Sequence, residues 1–484
     1  MKERIVLDVW VPDLTFPGWM DRWYEQGRDF EKAHPEYQVN IVGQDFWTFP
    51  LKVAEAAAEG RAPMVAEIYF YMGQAARDLR NRDGSPVFTS VEKAVGGRTE
   101  ILGEPVVIDD LLPAFRDYYS LDGDLTSMPS GGTTSLLFAN ANLLRAAGVS
   151  ELPQTWAEVE AVCDEIAKLR NGPAHAITWS NHGTFFQQAL ASQGGLLVDN
   201  DNGRSGRATT AYLASDEMLA WVEWWRGLHR RGHYLYTGKI PDWAGTFRAF
   251  ADQDVAIRFT SSNDVNYMVQ AAEQSGFPIE IGIFPYNEKV PYVGNAVAGT
   301  SLWLANGLDE ATQDGALALI QFLHNPRNAA DRHKFSSFIP ITRASYDLLE
   351  EEGWFDKHPY HRLAYEHVSR FPSGATVDPA LAGGVPLSQG ALFGDFAGNQ
   401  DVMTRAMGDV LAHGADPLVR FTEATMEAQR LLDEYNEYAL RTGFRDPAGT
   451  PGHSLAVESF SEASAGRDYS AADLEKVVRL KLAR

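Results

Sequence analysis

Cysteine is almost missing. The 484 residues hold one, Cys163, so an internal disulfide and a thiolate metal cluster are both excluded. It lies in the apolar-patterned stretch from Val159 to Leu169 and reads as a small buried hydrophobe. Long apolar runs are also absent; none approaches the ~20 residues that cross a bilayer. Positive charge is scarce. Lys and Arg number 42 against 65 Asp and Glu, a net −23. That field repels phosphate and argues against a nucleic-acid or anionic-membrane binder. Internal repeats and long low-complexity tracts do not appear. Nor does the opening MKERIVLDVW carry an apolar leader core, a small-residue cleavage site or a lipid-acceptor cysteine. Two expectations follow: a cytoplasmic protein with a native start at Met1, or an extracytoplasmic one, periplasmic or lipid-anchored at the cell surface, whose leader has been removed.

What is present describes a folded globule, 45% hydrophobic and 11% aromatic. A chain this long outgrows a single core, so two or more lobes are expected. The spacing predicts a strand from Ile5 to Val9, a helix from Gly18 to Ala33, a strand from Gln38 to Gly43, a helix from Leu51 to Glu59 and a strand from Met64 to Tyr69. This β-α-β-α-β run is the signature of an α/β sheet with helices on its faces. Ligands of such sheets bind at the strand carboxyl ends, here Trp10, Gln44 to Trp47, and Tyr69 to Tyr71, all aromatic-tipped. Further on, Ser135 to Asn140 reads as a strand. Thr155 and Glu158 have capping-box spacing, Ser215 caps another helix, and Leu308 to Leu323 is strongly helical. Asp395 to Tyr438 is helical with few breaks.

Several motifs then stand out. Ala298 to Leu349 runs AGTSLWLANGLDEATQDGALALIQFLHNPRNAADRHKFSSFIPITRASYDLL, with a Gly-rich segment, SLW, a long helix, a P-x-NAA helix start and a PIT segment. MPSGGTTSLLFANANLLRAAGV with PQTWAEV, F-E-x-x-x-P-x-Y near Phe30 to Tyr37, and GRAP at Gly60 to Pro63 complete the set. On these motifs, over roughly residues 1 to 440, the chain resembles the extracytoplasmic solute-binding proteins of ABC importers. Within that carbohydrate-binding group it is most similar to the glycerol-3-phosphate and glycerophosphocholine binders. The resemblance implies a two-lobed periplasmic-binding-protein fold with several hinge crossings and a ligand cleft. Lobe one would take 1–128 and 296–340, lobe two 129–295 and 341–440, with 441–484 a peripheral extension. It also implies a monomer, an inner-membrane ABC permease as partner, no nucleic acid, no cofactor and no metal.

Carried over residue by residue, the family's aromatic after the second strand lands on Phe46 or Trp47, and its Tyr-acid pair on Tyr69 and Phe70. A second-lobe serine lands on Thr133, wall tryptophans near Trp179 with His182 and Phe185 beside it, and a serine pair on Ser261 and Ser262 beside Asn263. The hinge glycine lands on Gly299 and the aromatic before PIT on Phe338. Asp13 and Asp395, at a strand end and a cleft loop, complete the candidate ligand set. Trp10, Trp47 and Trp179 each stand between two readings, core residue or stacking platform; Trp221, Trp224 and Trp225 read as helix packing. The departures are informative. The family's acid is Phe70, its tyrosine before PIT is Phe338, and its phosphate-reading arginine falls near Leu392 to Asp395, where GALFGDFAG has no cation. A guanidinium is the natural partner of phosphate, so a neutral carbohydrate, glycoside or polyol is expected.

Other patterns carry less. Ser130 to Thr134 lacks the lysine and spacing of a P-loop, and Gly452-His453-Ser454 lacks the pattern of a nucleophile elbow. His358, His361 and His367, with Asp356 and Glu366 nearby, complete no metal motif and read as a solvated helix face. Two functions follow: a transporter's binding protein with no chemistry, or an intracellular enzyme that has recruited the scaffold. The second would draw on Asp13, Asp45, His182, Asp264 and Asp395, but no spacing among them names a reaction.

Overall fold

The computed structural model describes residues 3–13, 18–45, 49–369 and 390–442. The chain opens as expected. Strand β1 (Ile5–Asp13) buries Leu7, Val9 and Val11. Helix α1 (Trp19–Ala33) turns Trp19, Trp23 and Phe30 inward. Strand β2 (Tyr37–Asp45) lies parallel to β1; after α2 (Phe49–Ala58), β3 (Val65–Tyr69) joins the other side of β1, also parallel. Helix α3 (Gly73–Asp78), the short strand β4 (Phe88–Thr89) and α4 (Pro113–Tyr119) follow. Strand β5 (Met128–Thr133) still belongs to this first sheet.

The second sheet begins at once with β6 (Ser135–Asn140). Helix α5 (Trp156–Ala167) starts in the expected capping box, with Thr155 Oγ1 accepting from Glu158 N at 3.2 Å. Strand β7 (Ile177–Thr178), α6 (Gly183–Ser192), α7 (Asp216–Arg230), β8 (Ile257–Ser261) and β9 (Ile279–Ile283) complete the lobe, with sheet order β7-β8-β6-β9. Ser215 caps α7 as predicted. The chain then returns. Strand β10 (Ala298–Ala305) runs antiparallel to β3, β4 and β5 in the first sheet, and α8 (Glu310–Leu323) and α9 (Pro326–Ser336) cover that lobe.

The final hairpin, α10 (Phe396–His413) and α11 (Pro417–Thr442), is broken where Gly414 turns left-handed and Pro417 restarts the helix. It crosses the junction. Phe421, Ala424 and Leu432 join the large core, while Tyr435, Tyr438 and Ala439 pack with α2, α3 and Trp303. Where the chain passes between the lobes, hydrogen bonds gather at Thr134: Thr134 N donates to Ser262 Oγ (3.1 Å), Ser262 N to Thr134 O (2.7 Å), and Thr134 Oγ1 to Ala296 O (3.2 Å). Asn295 donates its amide to the same threonine hydroxyl. No described helix is long and apolar enough to cross a membrane.

Candidate functional site

The carboxyl ends of β1, β2 and β3 bring Asp13, Asp45 and Tyr69 to one edge, with Asp13 and Asp45 in register. The Tyr69 ring stacks on Tyr71 at 5.8 Å, and burial with nearby Glu67 pushes its hydroxyl well above the ordinary tyrosine range. Phe70 turns inward instead. It is buried, with its ring 6.1 Å from both Tyr118 of α4 and Phe396 of α10. This contact opens a seam where lobe-one residues meet α6 and α10.

The seam is lined by uncharged polar groups. A side chain at Gly390 would lie 3.1 Å from the Tyr118 ring and 3.2 Å from Gln187 Nε2, so these groups converge there. Gln400 lies hard against Gly183, at the start of α6. Asn181 donates its amide to Thr404 O (2.8 Å), and Asn399 donates to Asp395 O (2.9 Å). Those bonds fix both amides with nitrogen engaged. The Asn181, Gln187, Asn399 and Gln400 carbonyl oxygens and the Tyr118 and Tyr119 hydroxyls are buried with no hydrogen-bond partner among the described residues. Leaving such groups unsatisfied costs ~1–3 kcal/mol each, a cost a bound polar ligand would relieve.

A buried arginine, Arg204, and a partly buried one, Arg77, border the seam. Arg204 donates to Tyr118 O (2.5 Å) and Gly390 O (3.3 Å), and its guanidinium lies 4.6 Å above the Tyr118 ring. Arg77 donates to Thr126 Oγ1 at 2.7 Å; its Nε has no partner among the described residues. Burial, reinforced by Arg204, pushes Arg77 down to about 9. Leu392 and Arg77 both reach the same side of Gly73. The segment from Leu392 to Asp395 is thus not remote from positive charge, as its sequence alone implied: other elements bring cations to it.

Comparison with known proteins decides the family. A family model described as bacterial extracellular solute-binding protein matches residues 25–360. The chain belongs to that family. It is an ABC-importer solute-binding protein of the two-lobed periplasmic-binding fold, a class that binds small molecules and partners with ABC permeases. It is 26% identical over 376 residues to the sn-glycerol-3-phosphate-binding periplasmic protein UgpB of Salmonella typhimurium, covering 74% of this chain and 81% of that protein. Two solved structures share the fold. UgpB from Mycobacterium tuberculosis, in complex with glycerophosphocholine, superposes with a TM-score of 0.67 at 18% identity, covering 90% of this chain and 99% of that one. The sugar-binding protein MalE from Xanthomonas citri gives 0.68 at 17%, with the same coverage.

In this solute-binding protein the carried-over residues fall into distinct places. Asp13 and Tyr69 stand at the strand edge, while Phe46 and Trp47 lie outside the described residues. Thr133 pairs with Ala298 beside the hinge; Ser261 and Asn263 flank it, partly buried. Ser262 is fully buried with its hydroxyl taken by Thr134, so it serves the hinge. Gly299, at φ 132, is required by backbone approach: a Cβ there would lie 1.7 Å from Gly131 O. Phe338 is buried behind the hinge, 5.8 Å from the Trp19 ring. Of the two readings of Trp179, core residue or stacking platform, its burial fits the core. It is fully buried, with Tyr234, Trp225, Phe259, Trp221 and Trp224 rings between 4.4 and 5.9 Å away, because the second lobe fills its centre with indoles.

Asp395 does sit at the seam, capping α10 by accepting from Gly398 N at 3.2 Å, and burial pushes its carboxyl up to about 8. His182 caps α6 by accepting from Thr184 N, and burial lowers it to about 4. Asp264 is committed to Arg258 and Thr260. Two of the three histidines read as a solvated helix face correct that reading, while His358 is partly exposed. His361 and His367 are buried rather than solvated, each pushed down to about 3. No cluster of metal-ligating side chains is present among the described residues. Sequence reasoning missed Tyr118, Asn181, Gln187, Asn399 and Gln400. Amides at helical spacing read as solvated positions, and nothing in the sequence links residues two hundred positions apart.

Proposed function

We propose that this protein is the extracytoplasmic binding component of an ABC importer and captures a neutral carbohydrate, glycoside or polyol between its lobes. The observation that carries this reading is the seam's stock of buried amide oxygens. They are acceptors without charge, suited to ligand hydroxyls, which donate; an ionised phosphodiester group has no hydrogen to give them. Tyr69 supplies stacking area at the strand edge, Phe46 or Trp47 is proposed as a further stacking ring, and Asp13, Thr133, Ser261, Asn263 and Asp395 are proposed as polar contacts. The protein works as a monomer, either periplasmic or lipid-anchored, and delivers its solute to an inner-membrane permease on closure.

A second reading rests on Arg77, whose Nε has no hydrogen-bond partner among the described residues and is a donor for an anionic group. With a glycerol-3-phosphate-binding relative at 26% identity, a phosphodiester is the competing ligand. A thermal-shift screen of mono- and disaccharides, polyols, glycosides and glycerophosphodiesters separates the two. A micromolar binder at millimolar dose stabilises the fold by about 4 kcal/mol. A neutral hit recovered chemically unchanged supports the proposal. Stabilisation by glycerophosphodiesters alone transfers it to the second reading, and a hit that is consumed points to chemistry.

A further inference from the structure

The loop between residues 199 and 213 is built at a conformational cost. Asn200, Asp201 and Asn202 take φ of 51°, 54° and 56°, and Gly203 follows at 76°, so consecutive residues run left-handed. L-residues avoid such a run; Asn, Asp and Gly are the types that tolerate it. The turn is pinned, with Leu392 N donating to Asn202 O at 2.8 Å. At Gly203 a Cβ would lie 1.9 Å from Leu392 O. Further along, Asn436 donates to Ala208 O (2.8 Å) and Gln429 to Thr209 O (2.7 Å), fastening the loop to α11.

What the turn delivers is two arginines laid on the first lobe. Arg204 sits on Tyr118 of α4. Arg207 forks the carboxylate of Asp78, at the end of α3, with contacts of 2.5 and 3.0 Å. The same carboxylate accepts from the Tyr435 hydroxyl at 2.7 Å and from Gln74 at 3.1 Å. Asp78 is 7% exposed as a side chain, so it is satisfied almost wholly by these partners.

We propose that the 199–213 loop is a strap that ties the second lobe to the first through Arg207 and Asp78 and fixes how far the cleft opens. This rests on the two-lobed binding-protein reading and deepens it. A bidentate pair at a nearly buried carboxylate does not stretch gradually. Pulling Arg207 away strands the charge of Asp78, which is strongly unfavourable, so the contact is either made or broken. An element with two discrete states can bias a hinge.

The test needs no ligand, so it stands apart from the identity of the solute. Cysteines at the exposed Lys32 of α1 and Lys168 after α5 carry spin labels, with native Cys163 buried. Pulsed-dipolar distances are then compared between the wild-type background and Arg207→Met. The strap predicts one narrow distance in the former and an added or displaced distance in the latter, with Arg207→Lys between them. Tyr435→Phe, which removes one hydroxyl from the same carboxylate, should shift the distribution the same way by less, and it decides the matter if Arg207→Met does not fold. Identical distributions in the parent and the folded variants overturn the proposal.

Discussion

The second lobe's tryptophan centre and the seam between the lobes are assembled from similar material and behave oppositely. Both gather large side chains carrying a polar atom on a flat group. In the centre, Trp179, Trp221 and Trp225 are fully buried, with ring centroids 4.9 to 5.7 Å from one another. In the seam, the Tyr118 ring lies under a guanidinium while its hydroxyl and the neighbouring amide oxygens have no hydrogen-bond partner among the described residues. A core tolerates orphaned indole N–H groups because apolar area dominates its energy. A seam of orphaned acceptors has no such return unless something else binds there. Residue type alone does not separate a wall from a core; in the seam the orphaned atoms are acceptors gathered from several elements, in the centre they are single indole donors inside a ring cluster.

The largest expected effect breaks the centre. Trp179→Ala should cost about 3–5 kcal/mol and lower the melting temperature on the order of 10 °C. A thermal melt reads this, and an unchanged melting point with lost ligand binding would return Trp179 to the cleft. Next in size is Gln400→Leu in the seam, which should weaken solute binding roughly tenfold or more while leaving the melt unchanged or slightly raised. Calorimetric titration with whichever neutral solute the screen returns gives the comparison.

A smaller effect belongs to Asp395. Burial raises its folded value to about 8, from 3.8. The fold therefore prefers the neutral acid: the contribution is fully present below the unfolded value and is lost as pH rises through about 8. Asp395→Asn should flatten the fall in stability across that window, as melts over a pH series would show. The smallest change lies outside both regions. Arg430→Ala breaks an exposed pair with Glu434, 2.6 Å apart, and should move stability by less than about 0.5 kcal/mol in a denaturant titration.

Much of the scaffold was legible because its signals are local. Hydrophobic period and caps placed β1 through β3, the Thr155 capping box and the Ser215 cap. The single cysteine was read correctly as buried, with its thiol pushed up by that burial. The site was less legible, and for a physical reason. Gln187, Gly390 and Gln400 come together only through the packing of α6 against α10, and each alone looks like an ordinary polar position. Arg77 and Arg204 reach the Leu392 segment from elsewhere in the chain, which no reading of GALFGDFAG could reveal. His361 misled in the opposite sense. Its polar type and helical spacing suggested solvent, yet it is buried against Asn266, with Oδ1 2.7 Å from its Nε2.

The seam is proposed to read hydroxyls rather than charge. Equilibrium titration of two ligands, a galactosylglycerol and glycerophosphocholine, separates the possibilities. A seam that reads hydroxyls binds the neutral glycoside, with Gln400→Leu weakening it and Arg77→Met leaving it unchanged. Binding of glycerophosphocholine alone, abolished by Arg77→Met, would instead make Arg77 the reader of the site.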